Sequence, residues 1–139
     1  MSLSIHNQFP ATVVSVTSGK AMTTVKARLA GDQEVTAAVA TDTVAELGIA
    51  AGSPVTVLVK ATQVALATGD VRGVSVRNRL AGTVTSVTLG AAMANVGVAA
   101  EGGTLTAAVT KEAVDELGIT AGTPVVALVK STEVALATA

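Results

Sequence analysis

Hydrogen-bond donors gather at two places in this chain without carboxylates among them. Ser75, Arg77 and Asn78 lie close together in the sequence, and Lys130 follows an apolar run directly before Ser131. Arginine supplies directed donors, lysine a compact charge, and hydroxyl and amide groups complete a shell around tetrahedral oxygens. These residues form the kind of donor set that a small oxyanion requires, although a lysine in such a position is also typical of a solvated strand end.

An equivalent but altered set occurs earlier in the chain. Ser4, His6 and Asn7 precede Lys60 and Ala61, so a histidine stands where the later set has arginine, and an alanine stands where it has serine. Histidine changes its charge in the range of about pH 5 to 8. A site built from the earlier set is therefore expected to be lost, weaker, or dependent on protonation of His6.

The recurrence belongs to a tandem duplication, with matching segments spaced by about 70 residues. Thr12-Val13 matches Thr83-Val84, and Glu46-Leu47-Gly48-Ile49 matches Glu116-Leu117-Gly118-Ile119. The shared order of many such segments exceeds what a common Ala, Val and Thr bias would produce. We predict two units, residues 1–68 and 74–139, joined by a linker at 69–73.

Within each unit, five short runs rich in β-branched residues are separated by Gly, Asp or Pro, which predicts five strands. One helix is expected between the third and fourth strands, beginning with a capping hydroxyl at Thr41 or Thr110 and ending on Gly48 or Gly118. The apolar helix positions expected to face the sheet are Val44, Leu47, Val114 and Leu117. The fold class is therefore mainly β, with two tandem OB-like five-stranded barrels that each carry one short helix.

Units of this size bury a small fraction of their surface and are marginal alone. Their apolar content is mostly Val and Ala, which bury less area per side chain than Leu or Phe. We therefore expect the two copies to pack on each other, and several chains to pack together.

Composition removes several classes of function. The chain has 139 residues, no Cys, one His, Phe9 as its one aromatic residue, and a net charge of −1. These values argue against disulfides, thiol catalysis, zinc or iron–sulfur sites, and nucleic-acid binding. Apolar stretches are too short to span a bilayer, and no signal-peptide pattern opens the chain, so a cytoplasmic protein without a membrane partner is expected. Scattered carboxylates and an unpaired His6 argue against an enzyme.

The segment Ser75-Val76-Arg77-Asn78-Arg79-Leu80-Ala81-Gly82-Thr83-Val84 resembles the signature of the Mop, or molbindin, family, which reads Ser-Ala-Arg-Asn, a hydrophobic residue and then Gly-Thr-Val. Further similarity lies in 105–110, 116–122 and 129–134, and the likeness extends over both repeats. In the first repeat, Pro10-Ala11 stands in place of the small residue and Gly that precede Thr-Val.

This resemblance implies OB-like domains, a homo-oligomer of three chains with six Mop domains, and molybdate or tungstate bound between domains, without a cofactor or direct protein ligands to the metal. It implies a cytoplasmic store for molybdenum homeostasis, without a nucleic-acid partner. The implied oxyanion-binding residues are Ser75, Arg77, Lys130 and Ser131, with Asn78 and Thr106 as secondary candidates. Their weaker first-repeat equivalents are Ser4, His6, Asn7, Thr36, Lys60 and Ala61. The alternative is a structural or regulatory interaction module that kept the fold and lost its ligand.

Overall fold

Alternating apolar and polar residues build ten strands over residues 2–138, the part of the chain that the computed structural model describes. Residues 1 and 139, at the outer ends of the two expected units, lie outside the described residues. The first repeat contains β1 (Asn7–Thr17), β2 (Met22–Leu29), β3 (Glu34–Ala40), α1 (Thr41–Leu47), β4 (Pro54–Val59) and β5 (Ala65–Ala67). The second contains β6 (Asn78–Leu89), β7 (Met93–Ala100), β8 (Gly103–Thr110), α2 (Lys111–Leu117), β9 (Pro124–Val129) and β10 (Ala135–Ala137).

Both repeats follow the predicted order of three strands, one helix and two strands, so the mainly β, duplicated OB-like architecture is confirmed. β2 shows the underlying pattern most clearly, because Thr23, Val25, Ala27 and Leu29 are buried and the residues between them are exposed. Side chains on a strand point alternately to the two faces of the sheet. One face of each sheet therefore packs inward. Three short 3-10 turns complete the chain, at Ala30–Asp32, Ala61–Gln63 and Ser131–Glu133.

The two helices end as predicted and begin differently from each other. Gly48 and Gly118 both adopt the left-handed conformation, with φ of 64° and 63°, that favours glycine at a helix end. At the start of α2, the Thr110 hydroxyl accepts a hydrogen bond from the Ala113 backbone N–H at 3.1 Å. In α1 the capping position belongs to Ala40, so the predicted hydroxyl cap at Thr41 is wrong.

The Thr41 hydroxyl has another role. It donates to the Gly19 carbonyl at 3.0 Å and shares a 2.9 Å hydrogen bond with the Thr23 hydroxyl. These contacts attach the start of α1 to the turn between β1 and β2 instead of capping the helix.

Each helix places one apolar side chain in the core. Val44 and Val114 are buried, as expected, whereas Leu47 and Leu117 are each 39% exposed, so their predicted packing on the sheet is wrong. Leu47 and Leu117 are the last residues of their helices, directly before the glycine that ends each one. Ile49 and Ile119, just after these glycines, are buried instead.

Each sheet receives its outer strand from the other repeat. One sheet has the order β10-β4-β1-β2-β3 and the second has the order β5-β9-β6-β7-β8. In the first, Leu136 of β10 pairs with Val57 of β4; in the second, Leu66 of β5 pairs with Ala127 of β9. The repeats are therefore interlocked, and each of the sequence-defined units donates its last strand to its neighbour.

A single apolar core joins the two repeats, which confirms that the copies pack on each other. Phe9 of β1 is 6% exposed and lies against the turn that opens β8. A Cβ at Gly103, whose φ is +138°, would approach the Phe9 ring at 3.4 Å. The Phe9 ring thus packs directly against the backbone at Gly103. Among residues 2–138, no helix is long and apolar enough to cross a bilayer.

Candidate functional site

The register of β6 and β9 brings the predicted basic residues of the second repeat together. Asn78, the first residue of β6, is paired with Val129, the last residue of β9. The strands are antiparallel, so Arg77 and Lys130 extend from the same end of this ladder on adjacent strands. Ser131 begins the 3-10 turn that follows Lys130.

Arg77 and Lys130, together with Ser75 and Ser131, are named here the second-repeat half-site. The side chains of Arg77, Lys130 and Ser75 are exposed, and Ser131 is half-buried. Over residues 2–138, the two ion pairs present are Arg28–Glu34 and Arg72–Asp70, so neither basic group of the half-site is neutralised by a carboxylate there. Two unneutralised cations beside two hydroxyl groups suit an anionic ligand.

The first repeat builds the same frame with different side chains. Asn7 begins β1 and is paired with Val59 at the end of β4, which places His6 beside Lys60. Ser4, His6, Lys60 and Ala61 are named here the first-repeat half-site. It contains one permanent cation where the second-repeat half-site contains two, and Ala61 has no hydroxyl to donate.

An asparagine in each repeat binds the backbone of the other repeat. The Asn78 side chain donates to the Thr36 carbonyl and accepts from the Thr36 N–H, both at 2.8 Å. Asn7 makes the corresponding pair of 2.8 Å hydrogen bonds with Thr106. Asn7 and Asn78 are each 3% exposed. One donor and one acceptor of each side-chain amide are therefore used to join the repeats.

These contacts settle which parts of the two copies meet. Sequence grouping placed Thr106 with Arg77 and Lys130, and Thr36 with His6 and Lys60; the structure exchanges the two threonines. Thr36 lies beside Asn78, and Thr106 lies beside Asn7. The 3-10 turn 131–133 also packs against β3, and the turn 61–63 packs against β8. Each half-site is thus completed by the third strand of the opposite repeat.

A cavity of about 140 Å³ lies where the first-repeat half-site meets the end of the second repeat. Its polar lining includes Lys60, Gln63, Thr132 and Glu133. The Glu133 carboxylate brings negative charge to the cavity that Lys60 lines. Glu133 is distant in sequence from Lys60, so no sequence pattern brings the two together, and its carboxylate disfavours an anion in this cavity.

Sequence reasoning passed over Arg79, which follows the signature asparagine. Its guanidinium donates to the carbonyls of Val74 at 2.8 Å, Val76 at 3.0 Å and Val71 at 3.4 Å. No side-chain pattern indicates these contacts, because the partners of Arg79 are backbone carbonyls. Among the described residues, no group of three or more His, Asp or Glu side chains could hold a metal ion.

Comparison with known families identifies the class. A model described as the TOBE domain matches residues 3–66 and again residues 74–136. The chain therefore belongs to the TOBE domain family and contains two such domains in tandem. The resemblance to Mop proteins drawn from the signature segment is confirmed by the relatives.

The molybdenum transport protein ModE of Herbaspirillum seropedicae is 34% identical over 140 residues, which cover 99% of this chain and 52% of ModE. The molybdenum-pterin-binding protein MopA of Rhodobacter capsulatus is 35% identical over 141 residues, covering 99% of this chain and 52% of MopA. The chain thus spans about half the length of these curated relatives.

Two further relatives match the chain over different lengths, one over a single repeat and one over both repeats. Molybdenum-pterin-binding protein 2 of Clostridium pasteurianum is 36% identical over 64 residues, which cover 46% of this chain and 94% of that protein. A solved structure of the cytoplasmic molybdate-binding protein ModG with molybdate bound has a TM-score of 0.95 and 37% identity, and the match covers 100% of both chains. The tandem arrangement is therefore similar to that of ModG from end to end.

Proposed function

We propose that this chain binds molybdate or tungstate as an oxyanion store, without catalysing a reaction. The observation that carries the proposal is the register of β6 and β9, which brings Arg77 and Lys130 together on a frame that Asn78 attaches to Thr36. A tetrahedral dianion needs donors and positive charge, and this half-site supplies both. The likeness to ModG, whose structure contains molybdate, supports the same ligand class.

Asn78 acts as a positioning residue in this proposal. Its buried side chain holds β3 of the first repeat against the second-repeat half-site through the two hydrogen bonds to Thr36. Ser75, Arg77, Lys130 and Ser131 then donate to the anion. The first-repeat half-site binds more weakly, because His6, Ala61 and the nearby Glu133 carboxylate reduce its donors and its positive charge.

Exposed apolar side chains favour assembly of several chains. Leu89 is 54% exposed, Met93 48%, Met22 49% and Leu117 39%, so apolar side chains remain for contacts between copies. We propose a cytoplasmic homotrimer with six TOBE domains, in which neighbouring chains enclose the anions. The proposed protein has neither a nucleic acid nor a membrane as a partner.

Isothermal titration tests the proposal with the intact chain and sodium molybdate, with sodium chloride at equal ionic strength as the control. Molybdate is expected to release or absorb heat in a saturable manner and to raise the melting temperature, since a ligand that binds the folded state stabilises it by mass action. Saturating molybdate that leaves both the heat and the melting temperature unchanged would contradict the proposal.

A second candidate is an interaction module that retains the fold without the ligand. His6 and Ala61 favour it, because they remove an arginine and a hydroxyl from one half-site while the Asn7 contacts persist. Native mass spectrometry separates the two candidates. An oligomer without bound mass after equilibration with molybdate supports the interaction module, and an oligomer with bound molybdate supports storage.

A further inference from the structure

Arg79 holds the segment that carries the donors of the second-repeat half-site. Its Nη2 donates to the Val74 carbonyl at 2.8 Å, its Nε to Val76 at 3.0 Å and its Nη1 to Val71 at 3.4 Å. The three acceptors flank Ser75 on both sides and extend back into the linker between the repeats. One guanidinium thus binds three carbonyls within six residues of irregular backbone, from 71 to 76.

Besides the bonds from Arg79, this part of the chain contains an exposed ion pair between Arg72 and Asp70 at 2.9 Å. Residues 68–77 form no strand or helix between β5 and β6, and Gly69 and Gly73 have φ of 76° and 68°. Ordering such backbone costs conformational entropy, and a donor that is ordered only when the ligand binds lowers the affinity by that cost. The hydrogen bonds from Arg79 order this backbone in the ligand-free protein, so the entropy cost does not fall on ligand binding.

The strand alternation explains how two neighbouring residues fix both sides of Arg77. Consecutive side chains of β6 point in opposite directions. The Asn78 side chain is buried and bonds Thr36, whereas the Arg79 side chain is exposed and bonds the preceding segment 71–76. The backbone next to Arg77 is therefore held on one side by the other repeat and on the other side by the segment 71–76.

The first repeat supplies an internal comparison. Gln8 stands at the position of Arg79, and its Nε2 donates to the Ile5 carbonyl at 2.9 Å, which corresponds to the bond from Arg79 to Val76. Gln8 has two side-chain donors on one nitrogen, whereas arginine has five in a planar fork. The wider hold on the backbone is therefore a property of the second repeat.

We propose that Arg79 is a positioning residue that pre-organises Ser75 and Arg77 for the oxyanion through the backbone carbonyls of the segment 71–76. The inference rests on the proposed molybdate binding. It assigns to Arg79 no contact with the anion, so its role depends on the shape of the guanidinium fork and not only on its charge.

Two substitutions separate shape from charge. Arg79→Gln copies the first repeat and removes the charge, whereas Arg79→Lys keeps the charge and replaces the planar fork by a compact ammonium group. Lys20→Gln, at an exposed turn of the first repeat, is the control for losing one positive charge elsewhere. Calorimetric titration with sodium molybdate gives Kd for each protein, and hydrogen exchange reports the opening of amides 72–77 without ligand.

Both Arg79 variants are expected to raise Kd by about tenfold and to accelerate exchange in 72–77, because the segment must be ordered on binding. Lys20→Gln is expected to keep the original Kd and exchange rates. An unchanged Kd in Arg79→Gln, full affinity in Arg79→Lys, or a weaker Kd with unchanged exchange would each overturn the positioning role while molybdate binding stands. If the unmodified chain does not bind molybdate, the proposed function fails, and the role of Arg79 toward the anion fails with it.

Discussion

The two half-sites share one backbone frame and differ in the chemistry placed on it. Asn7 and Asn78 begin corresponding strands, face Val59 and Val129 in the same register, and bind the opposite repeat through bonds of the same length, 2.8 Å. The donors around them have diverged, since Arg77, Ser131 and Arg79 of the second repeat correspond to His6, Ala61 and Gln8 of the first. The shared asparagine is needed for packing in both copies, whereas the anion donors are concentrated in one.

This difference separates structural from chemical roles within a single chain. A substitution at an equivalent position in each repeat has nearly the same structural consequence, because the frames match. Any unequal effect on ligand binding then reports the chemistry of the half-site. The double substitution of the cations and the asparagine substitution each have a matched counterpart in the other repeat.

The largest effect is expected from removing both cations of the second-repeat half-site. Each charge-assisted hydrogen bond contributes about 1.5–3 kcal/mol, so Arg77→Ala with Lys130→Ala is expected to weaken molybdate binding roughly a thousandfold. The side chains are exposed, so the fold and the melting temperature without ligand should be retained. Titration calorimetry measures the loss. His6→Ala with Lys60→Ala is the matched variant. An equal or larger loss of affinity in that variant would contradict the claim that the second-repeat half-site binds molybdate more tightly.

The asparagine contacts should matter about equally for stability. Asn78→Ala leaves the Thr36 N–H and carbonyl without their partner, and Asn7→Ala does the same to Thr106. Losing two buried hydrogen bonds is expected to lower the free energy of unfolding by about 2–4 kcal/mol in each variant. Urea denaturation monitored by circular dichroism measures both. A large difference between the two variants would show that the frames are not equivalent.

His6→Arg is expected to strengthen the first-repeat half-site by about tenfold, since it restores a permanent charge and a directed donor. The change is best measured in the Arg77→Ala, Lys130→Ala background, where the second-repeat half-site no longer binds. His6→Gln serves as the control for side-chain size without charge. If the arginine variant binds no better than the glutamine variant, the identity of residue 6 does not determine the difference between the half-sites.

The sequence was sufficient to predict much of the frame. Internal matching identified the duplication, β-branched runs identified the strands, and Gly48 and Gly118 were predicted in the left-handed conformation that they adopt. These features depend on local backbone preferences and on side-chain periodicity, which are visible in a single chain. The register of β6 and β9 places Arg77 and Lys130 at the same end of adjacent strands, as the sequence grouping expects. That these residues bind the oxyanion remains a prediction.

What could not be predicted concerns the relation between the repeats. β5 and β10 have the same sequence, Ala-Leu-Ala, so strand pattern alone cannot show that each pairs with the opposite repeat. The exchange also determines that Thr36 meets Asn78 and Thr106 meets Asn7. Arg79 was missed for a similar reason, since its partners are backbone carbonyls, which carry no side-chain signal.

Anomalous X-ray scattering from molybdenum, in crystals grown with less molybdate than protein, locates the bound anion. The strongest peak is expected beside Arg77 and Lys130, on the side where Asn78 holds Thr36, and a weaker or absent peak is expected beside His6 and Lys60. A strongest peak at the first-repeat half-site, or molybdenum away from both half-sites, would contradict this expectation.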